Sequence, residues 1–269
     1  MNDSLRRLHA VLSDIGPLAV AVSGGVDSMT LAVVAQHVLQ GDARMLHAVS
    51  PAVPDDASAR VRDYAQRQGW RLEIVDAGEF ADPNYMANPH NRCFYCKTNL
   101  YATMTGAVDC MLVSGTNCDD LGDYRPGLEA AADHGVRHPY VEANMNKTAV
   151  REVARELALR DLAELPASPC LSSRVQTGIG IDPKVLGAIY RAEQLVQREL
   201  APQTARCRIR SDAIVIELDA HSMAALDSET AGSLQRQIGG LLSAAGVEHP
   251  VSFQHYRMGS AFLRPADGP

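Results

Sequence analysis

The chain has no run approaching the ~18 consecutive apolar residues that a membrane-spanning helix needs, so a membrane protein is excluded as a reading. The first residues, Met1-Asn2-Asp3-Ser4-Leu5-Arg6-Arg7, show no basic head followed by an apolar core, and no secretory signal is read there. Positive charge is not in excess: 32 acidic residues stand against 25 basic ones, a net charge of −7. That balance argues against broad binding to nucleic acid, which takes clustered Lys and Arg to neutralise phosphates. A local pocket for a small anion stays open. Internal repeats and low-complexity tracts are also missing, and the composition fits no collagen, coiled-coil or disordered class. What remains reads as a soluble, cytoplasmic chain of 269 residues, 46% hydrophobic and 21% charged. Its length suits one large domain or two modest ones.

The six cysteines are Cys93, Cys96, Cys110, Cys118, Cys170 and Cys207. Without an export signal the expected compartment is reducing, and no disulfide framework is expected. Cys110, inside the apolar run from Val108 to Val113, and Cys207 read as small buried hydrophobes. Cys93 and Cys96 are spaced as CxxC and fit that reading less well.

Over the first 160 residues, short apolar runs alternate with longer amphipathic segments. Strands are expected at Leu18 to Val22, Arg44 to Ser50, Arg71 to Val75 and Asp109 to Ser114. Helices are expected at Ser28 to Leu39, Asp56 to Gln68 and Thr148 to Leu159, the last with Asn146 as its cap. Near-continuous apolar strands separated by helices predict an α/β fold with a parallel sheet covered on both faces. Two long segments break the rhythm, Gly78 to Arg92 and Glu164 to Pro183, and loops of that length are usually functional or mobile. After Pro183 the pattern predicts a helix from Lys184 to Leu200 and short strands at Cys207 to Ser211 and Ala213 to Leu218. Ser222 to Ala245 reads as largely helical, and Val251 to Tyr256 as a last strand. The reading is therefore a nucleotide-binding domain over 1–183 and a smaller α+β domain over 184–269, contributing to substrate binding or oligomerisation. The tail from Pro265 to Pro269 is expected to fray.

Ser23-Gly24-Gly25-Val26-Asp27-Ser28 lies between the first strand and the first helix. Open α/β sheets bind ligands at the carboxyl ends of their strands. Two glycines let backbone approach an anion, the helix N-terminus offers free N–H groups, and Ser23 and Ser28 add hydroxyls. The Lys of a Walker-type loop is missing, and so is the GxGxxG fingerprint. Asp27 is a candidate Mg²⁺ ligand or a helix cap. Lys147, just ahead of the late helix, is a candidate phosphate ligand or a solvated lysine. The string SGGVDS resembles the pyrophosphate loop of the ATP-pyrophosphatase superfamily, whose members adenylate an oxygen and release pyrophosphate before a nucleophile displaces AMP.

A second strand-end loop runs Ser114-Gly115-Thr116-Asn117-Cys118-Asp119-Asp120-Leu121-Gly122-Asp123-Tyr124-Arg125-Pro126-Gly127. By its residues alone it is a second wall of a nucleotide cleft or a capped turn, and its acids hold Mg²⁺ or solvate the surface. For Cys93, Cys96 and Cys170, three readings compete: a zinc site completed by a histidine such as His90, a redox CxxC pair, or an iron–sulfur cluster held by three thiols with one iron left free.

The stretch from Gly115 to Gly127 resembles the signature of the LarE family, ATP-dependent sulfur insertases that build the nickel-pincer nucleotide cofactor of lactate racemase. The resemblance continues through Asn88-Pro89-His90-Asn91-Arg92-Cys93-Phe94-Tyr95-Cys96-Lys97, through Ala167 to Arg174, and from Arg206 to Glu217. It implies a PP-loop fold, like that of the adenine nucleotide alpha hydrolases, using ATP and Mg²⁺. The substrate it implies is pyridinium-3,5-biscarboxylic acid mononucleotide, one carboxylate of which becomes a thiocarboxylate. ATP binding falls to Ser23, Gly24, Gly25, Asp27, Ser28, Gly115, Asn117, Asp120 and Lys147. Cys170 matches the sulfur-bearing position. In some members it is a lone cysteine that gives up its own sulfur and becomes dehydroalanine; in others it joins a CxxC pair to hold a [4Fe–4S] cluster, the kind this sequence resembles through Cys93 and Cys96. Arg174, Arg206 and Arg208 are implied substrate ligands, the last two sharing one strand face, and Glu217 matches a position near a metal site. A sulfide or cysteine-desulfurase source and a homo-oligomer are implied as partners, with no nucleic acid or membrane. The sequence departs from the family pattern at Gln176-Thr177, where Pro-Tyr is expected, and at Cys118, usually small and apolar. A tRNA thiolase of the same superfamily, a class that also uses three-cysteine clusters, is the alternative.

Overall fold

Apolar strands that alternate their side chains between two covered faces build the first part of the molecule. In the computed structural model, residues 1–122 and 126–263 are described. The chain divides into two compact units, residues 1–82 with 93–168, and residues 83–92 with 169–269.

The first unit runs α1 (Asp3–Ile15), β1 (Leu18–Ala21), α2 (Val26–Leu39), β2 (Ala43–Val49), α3 (Asp55–Gln68) and β3 (Arg71–Asp76). After the short helix α4 (Pro83–Met86), which belongs to the second unit, follow α5 (Arg92–Gly106), β4 (Met111–Val113), α6 (Pro126–Asp133), α7 (Pro139–Glu142), α8 (Lys147–Glu156) and α9 (Arg160–Ala163). The four strands are parallel in the order β3-β2-β1-β4, with Leu18 opposite Ala43 on one side and Met111 on the other. Period-two alternation shares the strands between two cores. Leu18, Val20 and Met45 join α1, α2 and α8 in one, whereas Ala19 and Leu46 join Tyr101, Met104 and Ala130 of α5 and α6 in the other. Helix α2 is buried almost all round, from Val26 to Ala35, which is why its sequence has no polar stripe. Asn146 caps α8 as expected, its side chain accepting from the Ala149 amide at 2.9 Å.

The second unit comprises α4, α10 (Pro183–Leu200), β5 (Ala205–Ile209), β6 (Ile214–Leu218), α11 (Ala220–Ala225), α12 (Ser228–Ser243) and β7 (Val251–His255). Its sheet is mixed: β5 pairs antiparallel with β6, and β6 pairs parallel with β7. The architecture is thus α/β with a smaller mixed-sheet unit.

Two expectations change in detail. The segment 169–183 and the loop 83–92 pack with the C-terminal unit, where the pattern suggested a division at 183/184. The expected helix from Ser222 to Ala245 is two helices, broken at Asp227. The Asp227 carboxylate accepts from the Glu229 and Thr230 amides at 2.9 and 2.8 Å and starts a new helix there. Finally, Asp123, Tyr124 and Arg125 of the second loop and the tail from Pro265 lie outside the described residues.

Candidate functional site

The strand order reverses at β1. The chain moves outward from β1 to β2 and β3, then returns to place β4 on the other flank of β1. A crevice opens at the carboxyl ends of two strands that diverge in this way, and ligands bind there. The loops that follow β1 and β4 are the two glycine-bearing loops singled out in the sequence.

The first loop is held in shape by its own serines. The Ser23 amide donates to Ser28 Oγ at 3.0 Å, the Ser28 hydroxyl donates to the Gly25 carbonyl at 3.2 Å, and the two hydroxyls stand 3.0 Å apart. Gly24 has φ +82°, and a Cβ there would lie 2.7 Å from the Ala57 carbonyl oxygen of α3. Helix α2 begins at Val26 without a side-chain cap, so its first-turn amides remain donors for an anion. The second loop presses against this turn: a Cβ on Gly115 would lie 2.8 Å from the Ser28 amide nitrogen.

Asp27, Lys147, Asn117 and Gly115 therefore meet in one place. The Asp27 carboxylate is ion-paired with Lys147 Nζ and accepts from Asn117 Nδ2 at 3.5 Å. Asp120 and Asp119 serve the loop itself. Asp120 accepts from the Asn117 amide at 3.0 Å, and Asp119 accepts from the Lys147 amide at 3.0 Å.

Four residues that the sequence did not single out support the same loops. Arg60 of α3 donates from Nη1 to the Gly24 carbonyl at 2.7 Å. Buried Tyr140 donates to the Asp27 backbone carbonyl at 2.9 Å, and burial raises its pKa. His47 is fully buried with Nδ1 2.8 Å from the Val22 carbonyl and Nε2 2.9 Å from Ser58 Oγ. A carbonyl only accepts, so Nδ1 carries a proton, and burial lowers the pKa of the ring. His138 Nδ1 lies 2.9 Å from Ser114 Oγ, at the start of the second loop, and burial lowers its pKa too. No local motif marks these residues, because each acts on backbone or a side chain distant in sequence.

In the second unit, the two long loops are stitched together. Asn88, fully buried at φ +52°, donates from Nδ2 to the Gln176 and Ile179 carbonyls, both at 2.8 Å. The Gly178 amide donates back to the Asn88 carbonyl at 2.9 Å, and the Tyr85 and Ser172 hydroxyls are 2.6 Å apart. Cys170 sits half-buried immediately before the 3-10 turn Leu171–Arg174.

Arg174 is held inside this unit by a two-pronged bond to Glu193, Nε to Oε1 at 2.9 Å and Nη2 to Oε2 at 3.0 Å. Its Nη1 donates to the Pro169 carbonyl at 2.6 Å. Burial works against this charge, but Glu193 outweighs it and the pKa is raised. Arg208 donates from Nε to Glu217 Oε2 at 2.9 Å, and Glu217, 1% exposed, also accepts from Arg210 at 3.4 Å. Arg206 is half-buried with its guanidinium carbon 6.0 Å from the Tyr256 ring centre. Burial and the neighbouring Arg174 lower its pKa.

The cysteines separate by environment. Cys93 and Cys96, half-buried, occupy the first turn of α5, three residues apart and so on one helical face. Cys110 is half-buried and Cys207 fully buried, and burial pushes both thiols up. Cys118 is half-buried beside Asn144, 3.9 Å from its Oδ1. Among the described residues, no three His, Cys, Asp or Glu side chains form a ready-made metal site, and no helix is long and apolar enough to cross a membrane.

No family model matches the chain. It is 36% identical to the uncharacterized protein slr1717 of Synechocystis sp. over 81% of its length and 82% of that protein's. It is 29% identical to the pyridinium-3,5-bisthiocarboxylic acid mononucleotide synthase of Lactiplantibacillus plantarum over 78% of each chain. It is 23% identical to the uncharacterized protein MJ0830 of Methanocaldococcus jannaschii over 75% of its length and 77% of that protein's.

Proposed function

The chain belongs to the family of the Synechocystis protein, and from that premise we propose that it is an ATP-dependent sulfur transferase acting on pyridinium-3,5-biscarboxylic acid mononucleotide. The observation that carries the reading is the convergence of the two glycine loops, Asp27, Asn117 and Lys147 where the strand order reverses. The likeness to the synthase of L. plantarum supplies the substrate class.

A carboxylate oxygen is a poor leaving group, and adenylation converts it into AMP. The loop residues bind the triphosphate: Ser23, Gly25 and the first-turn amides of α2 donate to it, and Asp27 would hold the Mg²⁺ that accompanies it. Donors already in place at the departing pyrophosphate stabilise the charge that develops there. Lys147 then exchanges its bond to Asp27 for one to phosphate. The substrate's anionic groups go to Arg206, with Arg174 and Arg208 shaping the ground around it. Glu217, paired to two arginines, lies next to that ground.

Sulfur reaches the acyl-adenylate from the cysteine set. Cys93, Cys96 and Cys170 are all partly exposed thiols; brought together, they would hold three irons of a [4Fe–4S] cluster. When bound, that cluster supplies an iron without a protein ligand, able to carry a sulfide. Without it, the Cys170 thiolate forms a bond to the acyl carbon and AMP departs; loss of the Cys170 α-proton then breaks its Cβ–Sγ bond, releasing the thiocarboxylate and leaving dehydroalanine. The sulfide source is a small donor or a cysteine desulfurase.

The test is pyrophosphate release from ATP·Mg²⁺ by the anaerobically purified protein with and without the pyridinium mononucleotide. Release that depends on that compound is expected; release indifferent to it overturns the substrate assignment.

A further inference from the structure

We infer that Arg60 is a positioning residue for pyrophosphate binding, an inference that rests on the phosphate-loop reading above. The peptide between Gly24 and Gly25 joins the Gly24 carbonyl to the Gly25 N–H. A trans peptide points its C=O and its N–H in opposite directions, and the described backbone has no cis bonds. Arg60 Nη1 holds the Gly24 carbonyl at 2.7 Å. The same bond therefore fixes the Gly25 N–H on the opposite face of the loop.

That face carries the anion donors. The Gly25 amide lies 3.4 Å from Ser23 Oγ, at the long limit of a hydrogen bond. It adjoins the uncapped first turn of α2. Helix α3 thus forms the back wall of the loop in two ways. The Ala57 carbonyl bars any side chain at Gly24, and the Arg60 guanidinium turns the peptide that follows. With φ +82°, Gly24 is a glycine whose peptide has more than one accessible orientation. A bond from outside the loop is what selects one of them before ligand arrives, and preorganised donors are worth most in binding and catalysis. Arg60 is 20% exposed, and its Nη2 reaches the Asp56 carboxylate one turn back at 3.5 Å, which helps hold the guanidinium against the loop.

The account assigns Arg60 to ligands that reach the loop with a pyrophosphate group. AMP, which lacks the β- and γ-phosphates, has little use for the Gly25 amide. The experiment is calorimetric titration of the full chain with Mg²⁺-pyrophosphate, Mg²⁺-ATP and AMP, in the unaltered protein and in Arg60→Ala and Arg60→Lys, with thermal unfolding as a check on folding. Arg60→Ala is expected to weaken pyrophosphate and ATP by about tenfold or more, the loss of a hydrogen bond made by a charged donor, and AMP by about twofold at most. Arg60→Lys, which can still donate to the Gly24 carbonyl, is expected to recover most of the loss. Equal weakening of all three ligands, unchanged binding, or no recovery in Arg60→Lys overturns the assignment. Failure of the unaltered protein to bind pyrophosphate overturns the phosphate-loop reading itself.

Discussion

Lys147 Nζ and the Asp27 carboxylate are ion-paired across the candidate nucleotide site, although 120 residues separate them in sequence. Asp27 sits in the first turn of α2, and Lys147 opens α8. The pair is partly exposed, with side chains 36% and 25% accessible, so it adds little to stability. In the proposed function it places a cation beside the loop. Lys147→Met is expected to slow pyrophosphate release by about ten- to a hundredfold while shifting the urea midpoint only slightly. An unfolding curve moved by several kcal/mol with unchanged turnover would assign the pair a structural role instead.

The two glycines are predicted to fail for different reasons. Gly24→Ala meets the Ala57 carbonyl at 2.7 Å and forces a side chain onto φ +82°; Gly115→Ala meets the Ser28 amide at 2.8 Å. Each is expected to cost more than about 1 kcal/mol of stability and to abolish ATP binding. Gly187→Ala is the control. It lies in α10 with no atom within 4 Å of the added methyl, and it is expected to stabilise by about 0.5–1 kcal/mol. Chemical denaturation and ATP titration of the three variants check this.

Cys170→Ser is expected to leave ATP-dependent activation of the substrate intact and to end sulfur transfer. Cys93→Ser and Cys96→Ser separate the two sulfur sources. If the three thiols hold a cluster, anaerobic protein carries about four irons per chain, and either variant loses them. Iron and sulfide analysis beside a product assay reads both outcomes.

Asp219 gives a pH dependence. It caps α11, accepting from the Ser222 amide at 3.0 Å, and also accepts from the Thr204 amide at 3.1 Å. The Ser222 bond is the largest of the effects that lower its pKa from 3.8 to about 2. A carboxyl lowered by folding adds stability that is full above its unfolded pKa and disappears as pH falls through the folded one. Asp219→Ala is therefore expected to cost about 1 kcal/mol near neutrality. It should also flatten the loss of stability between pH 4 and pH 2, measured by denaturation across that range.

What the sequence showed followed from short-range rules. Ser23 to Ser28 stands between an apolar strand and a helix, and Asn146 precedes an amphipathic face; both are patterns of adjacent residues. The break at Asp227 was not legible because its neighbours continue the helical pattern, and it is set by a carboxylate that accepts from the Glu229 and Thr230 amides. The hold of Arg60 on Gly24, Tyr140 on Asp27 and His47 on Val22 had no local signal, since each joins residues far apart in the chain. The joining of the two long loops through Asn88 is of the same kind. Its buried amide, in a left-handed conformation, reads in sequence as one of several loop asparagines.

The central claim is the replacement of a carboxylate oxygen by sulfur, and mass spectrometry of the product tests it directly. The anaerobic protein is supplied with ATP·Mg²⁺, a sulfide source and the pyridinium biscarboxylate mononucleotide. The account predicts a product in which sulfur has replaced one oxygen, formed together with pyrophosphate and AMP. An unchanged nucleotide, or sulfur found only in tRNA added to the same mixture, would contradict it.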